Sequence, residues 1–132
     1  MKISIRLLLV LTAMAFAPVF TTAQNVEEGK KLFEANCTSC HQVHQEVVGP
    51  ALKDVDKRRD EAWLIKWVKN SQAVIKSGDA YAVALANKYN NSVMTSFGSL
   101  KDGEIKSIFA YIKEEGKKAP VVDGPKDAEK PG

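Results

Sequence analysis

The sequence is poor in the side chains that bind metals and cofactors. Its 132 residues include only two cysteines, two histidines and three methionines. It has no internal repeat, and no segment alternates apolar and polar residues in the way that a half-buried strand does. The apolar run at residues 7–20 is shorter than the ~20 residues that a membrane-spanning helix needs. We therefore predict an all-α fold with a single functional centre.

The first 23 residues have the features of a secretory signal peptide. Lys2 and Arg6 precede the apolar run, and Thr21-Thr22-Ala23 is a small-residue pattern, so we predict cleavage after Ala23. An uncleaved N-terminal anchor is the alternative. Cleavage leaves one small domain with seventeen basic and sixteen acidic residues, a net charge of +1. This balance gives no support to nucleic-acid binding, and we expect an exported, periplasmic monomer.

The pentapeptide Cys37-Thr38-Ser39-Cys40-His41 contains both cysteines of the chain. Two thiols separated by two residues and followed by a histidine form the attachment motif of a c-type haem. Each cysteine can bond one vinyl group of the haem, and the adjacent imidazole can bind the iron as its proximal ligand. Because the motif occurs once, we predict one covalent haem c, bound through Cys37 and Cys40, with His41 on the iron.

Several segments have helical patterns. A first helix is predicted from Val26 to about Asn36, with Asn25 and Glu28 as a capping box. Asp60 can cap a second helix that contains Trp63 and Trp67, both expected in the core. The alternative is that one indole N–H donates to a haem carboxylate. The charged run at 53–60 is predicted to be a solvated face.

Two further helices follow a break at Ser77-Gly78. Asp79 can cap the third, which ends before a turn at residues 90–92. The last helix has the clearest apolar face, formed by Ile105, Ile108, Phe109 and Ile112. We predict Ser99 or Asp102 as its N-cap and Gly116 as its C-terminal cap. The proline-rich segment 117–132 is predicted to be a disordered tail, which leaves residues 24–116 as the folded domain.

A haem that only transfers electrons needs a second axial ligand opposite His41. Met1 and Met14 belong to the predicted signal, so Met94 is the only methionine of the mature chain. His44 is the other histidine, but three residues span at most ~10 Å and cannot carry the chain to the opposite face of the iron. Met94 is therefore predicted to be the ligand, and His44 is expected to be an exposed polar residue. A core-filling role is the ordinary alternative for a methionine.

With these residues in place, the chain resembles class I c-type cytochromes, which are small single-haem electron carriers. The similarity covers about Val26 to Gly116. The residues that carry it follow the order of that family: Gly29, Phe33, Cys37, Cys40, His41, Gly49-Pro50, Met94, Ile108, Tyr111 and Ile112. The resemblance implies an orthogonal bundle of about four to five helices wrapped around one haem. It also implies electron exchange with redox proteins such as an oxidase, a reductase or a membrane complex.

The same resemblance implies two detailed contacts. The first and last helices should cross closely, with Gly29 against Tyr111. The carbonyl group of Pro50 should accept a hydrogen bond from the proximal imidazole, which makes Pro50 part of the cofactor-binding set. Members of the family often have proline directly after the ligand methionine, whereas this chain has Thr95.

Three other functions are weighed against electron transfer. A haem sensor or a peroxide-reactive haem protein would have a displaceable Met94, and Thr95 is the one feature that favours it. A thiol–disulfide pair at Cys37 and Cys40 is usually found in a βαβ context, which the sequence lacks. A zinc site would need two separated pairs of ligands, whereas the cysteines and histidines here are clustered.

Overall fold

The computed structural model describes residues 22–120, which form five helices and no strand. The helices are α1 (Thr22–Asn36), α2 (Val55–Arg58), α3 (Glu61–Lys76), α4 (Ala80–Lys88) and α5 (Asp102–Gly116). The predicted all-α class and the expected number of helices are confirmed. Residues 1–21 of the predicted signal and 121–132 of the predicted tail lie outside the described part.

The first and last helices pack against each other and form the centre of the core. A side chain on Gly29 would overlap the carbonyl oxygen of Ser107, so the two backbones touch at this point. One turn further along both helices, the rings of Phe33 and Tyr111 lie 5.4 Å apart. The atoms nearest to Gly29 thus belong to the backbone of Ser107 and Ile108, one turn before Tyr111, whose ring packs on that of Phe33.

The apolar face predicted for the last helix is confirmed. Ile105, Ile108 and Ile112 are each at most 4% exposed. Ile108 and Ile112 form a buried cluster with Phe33 and Val43, and Phe109 packs against this cluster from a half-buried position. Burial of this face stabilises the domain, since each large aliphatic side chain contributes about 1.5–3 kcal/mol when it leaves water.

Helix ends agree with the predictions at two positions. The carboxylate of Asp60 accepts from the backbone N–H of Trp63 at 2.9 Å, and that of Asp79 accepts from Ala82 at 2.8 Å. Both aspartates are thus N-caps, as their spacing predicts. The turn after α4 is also present, since Asn90 has a left-handed backbone with φ of 53°.

Three predicted caps are wrong. Helix α1 already includes residues 22–24, so Asn25 lies inside it and is no N-cap. Helix α5 has Lys101 at its N-cap, because the Glu104 carboxylate accepts from the Lys101 N–H at 2.7 Å. Gly116 is the last helical residue and has no left-handed backbone.

Helix α3 is broken at Asn70, which the sequence analysis did not predict. This residue has φ of −161° and ψ of 83°, outside the helical region. Its side-chain oxygen accepts from the backbone N–H of Ala73 at 2.9 Å and so caps the second half of the helix. Asparagine suits this position because its side chain competes with the helix for backbone hydrogen bonds.

No helix among residues 22–120 is both long and apolar enough to cross a bilayer.

Candidate haem site

The two cysteines and His41 lie on a turn that continues from the end of α1. The N–H of Cys37 donates to the carbonyl of Phe33 at 2.8 Å, which is the last helical bond. The N–H groups of Cys40 and His41 then both donate to the carbonyl of Cys37, at 3.1 and 2.9 Å. This arrangement fixes both sulfur atoms and the imidazole on one short, well-bonded segment, with Cys37 half-buried and Cys40 exposed.

The Gly49-Pro50 segment lies across the ring of His41. The Nδ1 atom of His41 is 3.0 Å from the carbonyl oxygen of Pro50. A carbonyl only accepts, so Nδ1 donates and Nε2 keeps its lone pair. The contact expected from the family resemblance is therefore present. A side chain on Gly49 would overlap the His41 ring, so only glycine allows this approach.

Met94 lies on the loop between α4 and α5. It is half-buried, whereas its neighbour Val93 is 72% exposed. The carbonyl of Met94 accepts from the hydroxyl of Ser71 at 3.3 Å, and the N–H of Phe97 donates to the carbonyl of Val68 at 3.1 Å. Both contacts join this loop to helix α3.

One cavity brings the predicted site residues together. Its wall includes Cys37, Cys40, His41, Pro50 and Met94. The space enclosed, including the part open to solvent, is about 1420 Å³. Much of the remaining wall is apolar, and helices α3, α4 and α5 contribute nine of its residues: Leu64, Trp67, Val68, Ile75, Leu85, Ala86, Ile108, Phe109 and Ile112. A haem, which is large, flat and mostly apolar, suits such a cavity. The sulfur and imidazole groups in the wall are suitable ligands for haem iron.

An aromatic cluster at the edge of the cavity contains a cation that sequence analysis missed. The guanidinium of Arg59 lies 3.9 Å from the ring centre of Tyr81 and 5.4 Å from that of Trp63. Trp63 also stacks on Trp67, with ring centres 5.1 Å apart. The run predicted as a solvated face is thus only partly solvated, since Arg59 is half-buried and the segment also contains helix α2.

The indole N–H of Trp63 donates to the carboxylate of Asp79 at 3.1 Å. In this arrangement the indole N–H is bonded to a carboxylate of the protein, whereas the sequence analysis offered a carboxylate of the cofactor as its partner. Two hydrogen bonds lower the pKa of Asp79, the first from the backbone N–H of Ala82 and the second from this indole. Trp63 and Trp67 both line the cavity and are half-buried, so they form its wall rather than the centre of the core.

His44 is not the exposed residue that was expected. It is half-buried, and its Nε2 donates to the backbone carbonyl of Glu115 at 3.1 Å. Glu115 is near the C-terminus of α5, where the last carbonyls of a helix need partners. The contact directs His44 to the last helix, and this placement disfavours a zinc site shared by His44 and the cysteines.

The environment of Cys37 also disfavours thiol chemistry. Burial, and then the charge of the neighbouring Cys40, raise the pKa of the Cys37 thiol to about 11. A redox-active thiol needs a lowered pKa, because only the thiolate attacks a disulfide. The free pair is therefore poorly suited to thiol–disulfide exchange.

The family model described as cytochrome c matches residues 26–115. Cytochrome c6 of Cyanidium caldarium is 25% identical, and the match covers 84% of this chain and 94% of that protein.

Two solved structures have the same fold. A cytochrome c from Rhodothermus marinus superposes with a TM-score of 0.63 and 28% identity, over 71% of this chain and 78% of that one. A cytochrome c domain from Pseudomonas putida superposes with a TM-score of 0.56 and 31% identity, over 67% of this chain and 87% of that one. The family match spans nearly all of the described residues and includes the whole cavity wall. The chain therefore belongs to the cytochrome c family and is a c-type cytochrome with one covalent haem c.

Proposed function

We propose that this cytochrome is a soluble, monomeric carrier of single electrons between redox proteins outside the cytoplasm. In this proposal Cys37 and Cys40 would hold the haem, and His41 and Met94 would be the two ligands of its iron. The observation that carries the proposal is the hydrogen bond from His41 Nδ1 to the Pro50 carbonyl, in the same cavity that Met94 lines.

The attachment follows from the position of the cysteines. Each thiol would add across one vinyl group of the cofactor and form a thioether. The helical bonds that hold Cys37, Cys40 and His41 on one turn keep the two thioethers and the imidazole in a fixed relation. Covalent attachment at this turn would fix the cofactor against the core formed by α1 and α5.

The ligand role of His41 follows from its tautomer. Because Nδ1 donates to Pro50, the lone pair of Nε2 is available to a metal, and the hydrogen bond raises the basicity of the ring. Gly49 lets the Pro50 carbonyl come this close. Among the residues described, these two positions hold the imidazole ring in one orientation.

Haem iron supplies reversible one-electron chemistry between its ferric and ferrous states. The protein's contribution would be to keep two strong ligands in place so that little moves when the charge changes. Sulfur ligation by Met94 and the apolar wall both favour the ferrous state, because neither stabilises the extra positive charge of ferric iron. These two features support a carrier with a higher potential than a bis-histidine haem would have.

The surface around the cavity supports exchange with partner proteins. Cys40 is exposed, and Val48 and Val93, both at the cavity wall, are 58% and 72% exposed. Exposed apolar side chains at the edge of a cofactor site suit brief contacts over a small area. We propose redox proteins as the partners, for instance an oxidase, a reductase or a membrane complex.

Export is the remaining part of this proposal. It rests on the predicted signal at residues 1–23 and on the haem attachment motif, which belongs to compartments outside the cytoplasm. Under this proposal the mature chain starts after Ala23, and helix α1 would start there too.

Two measurements on protein from a host that matures c-type haem test the proposal. The intact mass should exceed that of the polypeptide by one haem, and it also gives the cleavage position. The reduced protein should have sharp low-spin bands, and the oxidised protein should have the weak sulfur-to-iron absorption of methionine ligation. A mass equal to the bare polypeptide would remove the proposal. Low-spin bands without the sulfur absorption would contradict the ligand role of Met94.

A further inference from the structure

The hydroxyl of Ser71 is the most deeply buried polar side chain of the cavity wall. Ser71 is 1% exposed and lies on helix α3 just after the break at Asn70. A hydroxyl at this depth needs a hydrogen-bond partner, because an unpaired one costs free energy. Its partner is the backbone carbonyl of Met94, 3.3 Å away. This hydrogen bond joins the buried hydroxyl to the backbone of the residue that carries the predicted sulfur ligand.

The break at Asn70 supplies a second contact to the same loop. In a continuous helix the carbonyl of Val68 would accept from the amide four residues further on. Here the helical path is interrupted at Asn70, and the Val68 carbonyl accepts from the N–H of Phe97 at 3.1 Å. The two hydrogen bonds meet the loop at residues 94 and 97, on either side of Thr95, so they fix both ends of the segment that carries the methionine sulfur.

The loop has little else to restrain it there. Among the described residues, no other hydrogen bond joins residues 93–97 to a helix. Thr95 also lacks the fixed backbone angle that a proline would bring. The restraint on Met94 therefore comes from helix α3 rather than from stiffness of the loop itself.

We propose that Ser71 is a positioning residue for Met94, and that the helix break at Asn70 restrains the same loop through the hydrogen bond between Phe97 and Val68. This inference rests on the proposed role of Met94 as an iron ligand. Ser71 and Asn70 would act by lowering the free energy of the loop conformation in which the sulfur can reach the iron. Their loss would let an added ligand displace the sulfur more easily.

Titration of the ferric holoprotein with imidazole measures this displacement directly. Ser71→Ala should bind imidazole about fivefold more tightly than the wild type, the effect of one lost hydrogen bond. The matched control is Ser107→Ala. Ser107 is also a buried serine, 4% exposed, but its hydroxyl contacts Gly103 and Glu28 on the α1–α5 side of the core. This control should lose stability without any change in imidazole affinity.

A second variant covers the case in which Ser71→Ala yields no haem protein. Asn70 is exposed, so Asn70→Ala creates no cavity, yet it favours a continuous helix and weakens the Val68–Phe97 contact. It should also increase the imidazole affinity, and amide hydrogen exchange at Phe97 should become faster.

The outcomes separate the two proposals. If the wild type has the sulfur-to-iron absorption and both Ser71→Ala and Asn70→Ala bind imidazole with unchanged affinity, the positioning role is wrong. The ligand role of Met94 then still stands. An equal increase in imidazole affinity in Ser71→Ala and Ser107→Ala would also contradict the positioning role, because the effect would then come from a general loss of stability. If the wild type itself lacks the sulfur absorption, the ligand role fails and the inference fails with it.

Discussion

Gly29 touches the backbone of Ser107 so closely that no side chain fits between them. A Cβ atom at this position would come well under 3.0 Å from the Ser107 carbonyl oxygen, which real Cβ atoms do not do. The contact sets the distance between α1 and α5. It therefore also sets the position of the turn that follows α1, on which the two cysteines and His41 lie.

We expect Gly29→Ala to destabilise the domain by roughly 1–3 kcal/mol, because the two backbones must separate. Gly103→Ala on α5 is the matched control, since nothing lies within 4 Å of its added methyl group. This control should be neutral or stabilising by about 0.5–1 kcal/mol, the usual gain for alanine over glycine in a helix. Urea unfolding gives the unfolding free energy of both variants. Similar changes in Gly29→Ala and Gly103→Ala would contradict the close contact between Gly29 and Ser107.

We expect Gly49→Ala to weaken the bond between His41 and iron, because the added methyl group overlaps the ring and displaces it from the Pro50 carbonyl. Loss of such a partner weakens ligation by roughly 10–100-fold, which raises the pH of the acid-induced high-spin transition by about one to two units. Absorption spectra between neutral and acid pH measure this transition. Gly98→Ala, whose methyl group would lie 3.8 Å from the nearest atom, should behave as the wild type.

We expect Met94→Ala to remove the sulfur-to-iron absorption and to lower the midpoint potential, because a weaker ligand replaces the thioether. Covalent haem should remain, since the cysteines are unchanged. Val93→Ala, at the exposed neighbouring position, is the control and should keep both properties. Retention of the sulfur absorption in Met94→Ala would show that another group binds the iron. A haem sensor, in contrast, should keep its response to added ligands in this variant.

We expect His44→Ala to keep the low-spin spectrum, because the Nε2 atom of His44 donates to the Glu115 carbonyl at the end of α5. The lost hydrogen bond should cost about 1 kcal/mol of unfolding free energy. Gln45→Ala, at the exposed neighbouring position, should leave both the spectrum and the stability unchanged. A change from low-spin to high-spin iron in His44→Ala would mean that this histidine is a ligand after all.

Asp79 should make stability depend on pH in the acid range. Its hydrogen bonds from Ala82 and Trp63 lower its pKa below the usual value near 3.8. The stabilising effect is therefore complete above the usual pKa and disappears as the pH falls through the lower pKa of the folded protein. The stability lost between neutral pH and pH 3 should be smaller in Asp79→Asn than in the wild type. Glu27→Gln corrects for the change in net charge, and equal losses in all three proteins would exclude this role.

Much of the site could be predicted because it depends on local spacing. The motif at residues 37–41 determines which thiols and which imidazole lie together, since a short turn brings them there in any helical context. The apolar spacing of Ile105, Ile108 and Ile112 likewise predicts a buried face on α5. The N-caps Asp60 and Asp79 are predictable for the same reason, as each cap bonds an amide three residues away.

Other features depend on contacts between distant residues, and the sequence gives no local signal for them. Arg59 looks like one charge in a solvated run until Tyr81, on helix α4, is placed beneath its guanidinium. His44 looks like an exposed polar residue until Glu115 meets it across 71 positions of the chain. The break at Asn70 is visible only in the backbone angles, and its use is visible only in the contact of Val68 with Phe97.

The amino-acid sequence by itself determined the cofactor and the helical class of this cytochrome and predicted its points of attachment, because covalent chemistry and helical periodicity act over a few neighbouring residues. Only the tertiary structure decided how the loop of Met94 is held, how closely α1 and α5 approach, and which groups surround Arg59 and His44. Those features arise from packing and hydrogen bonds between segments far apart in the chain, and such contacts exist only once the chain has folded.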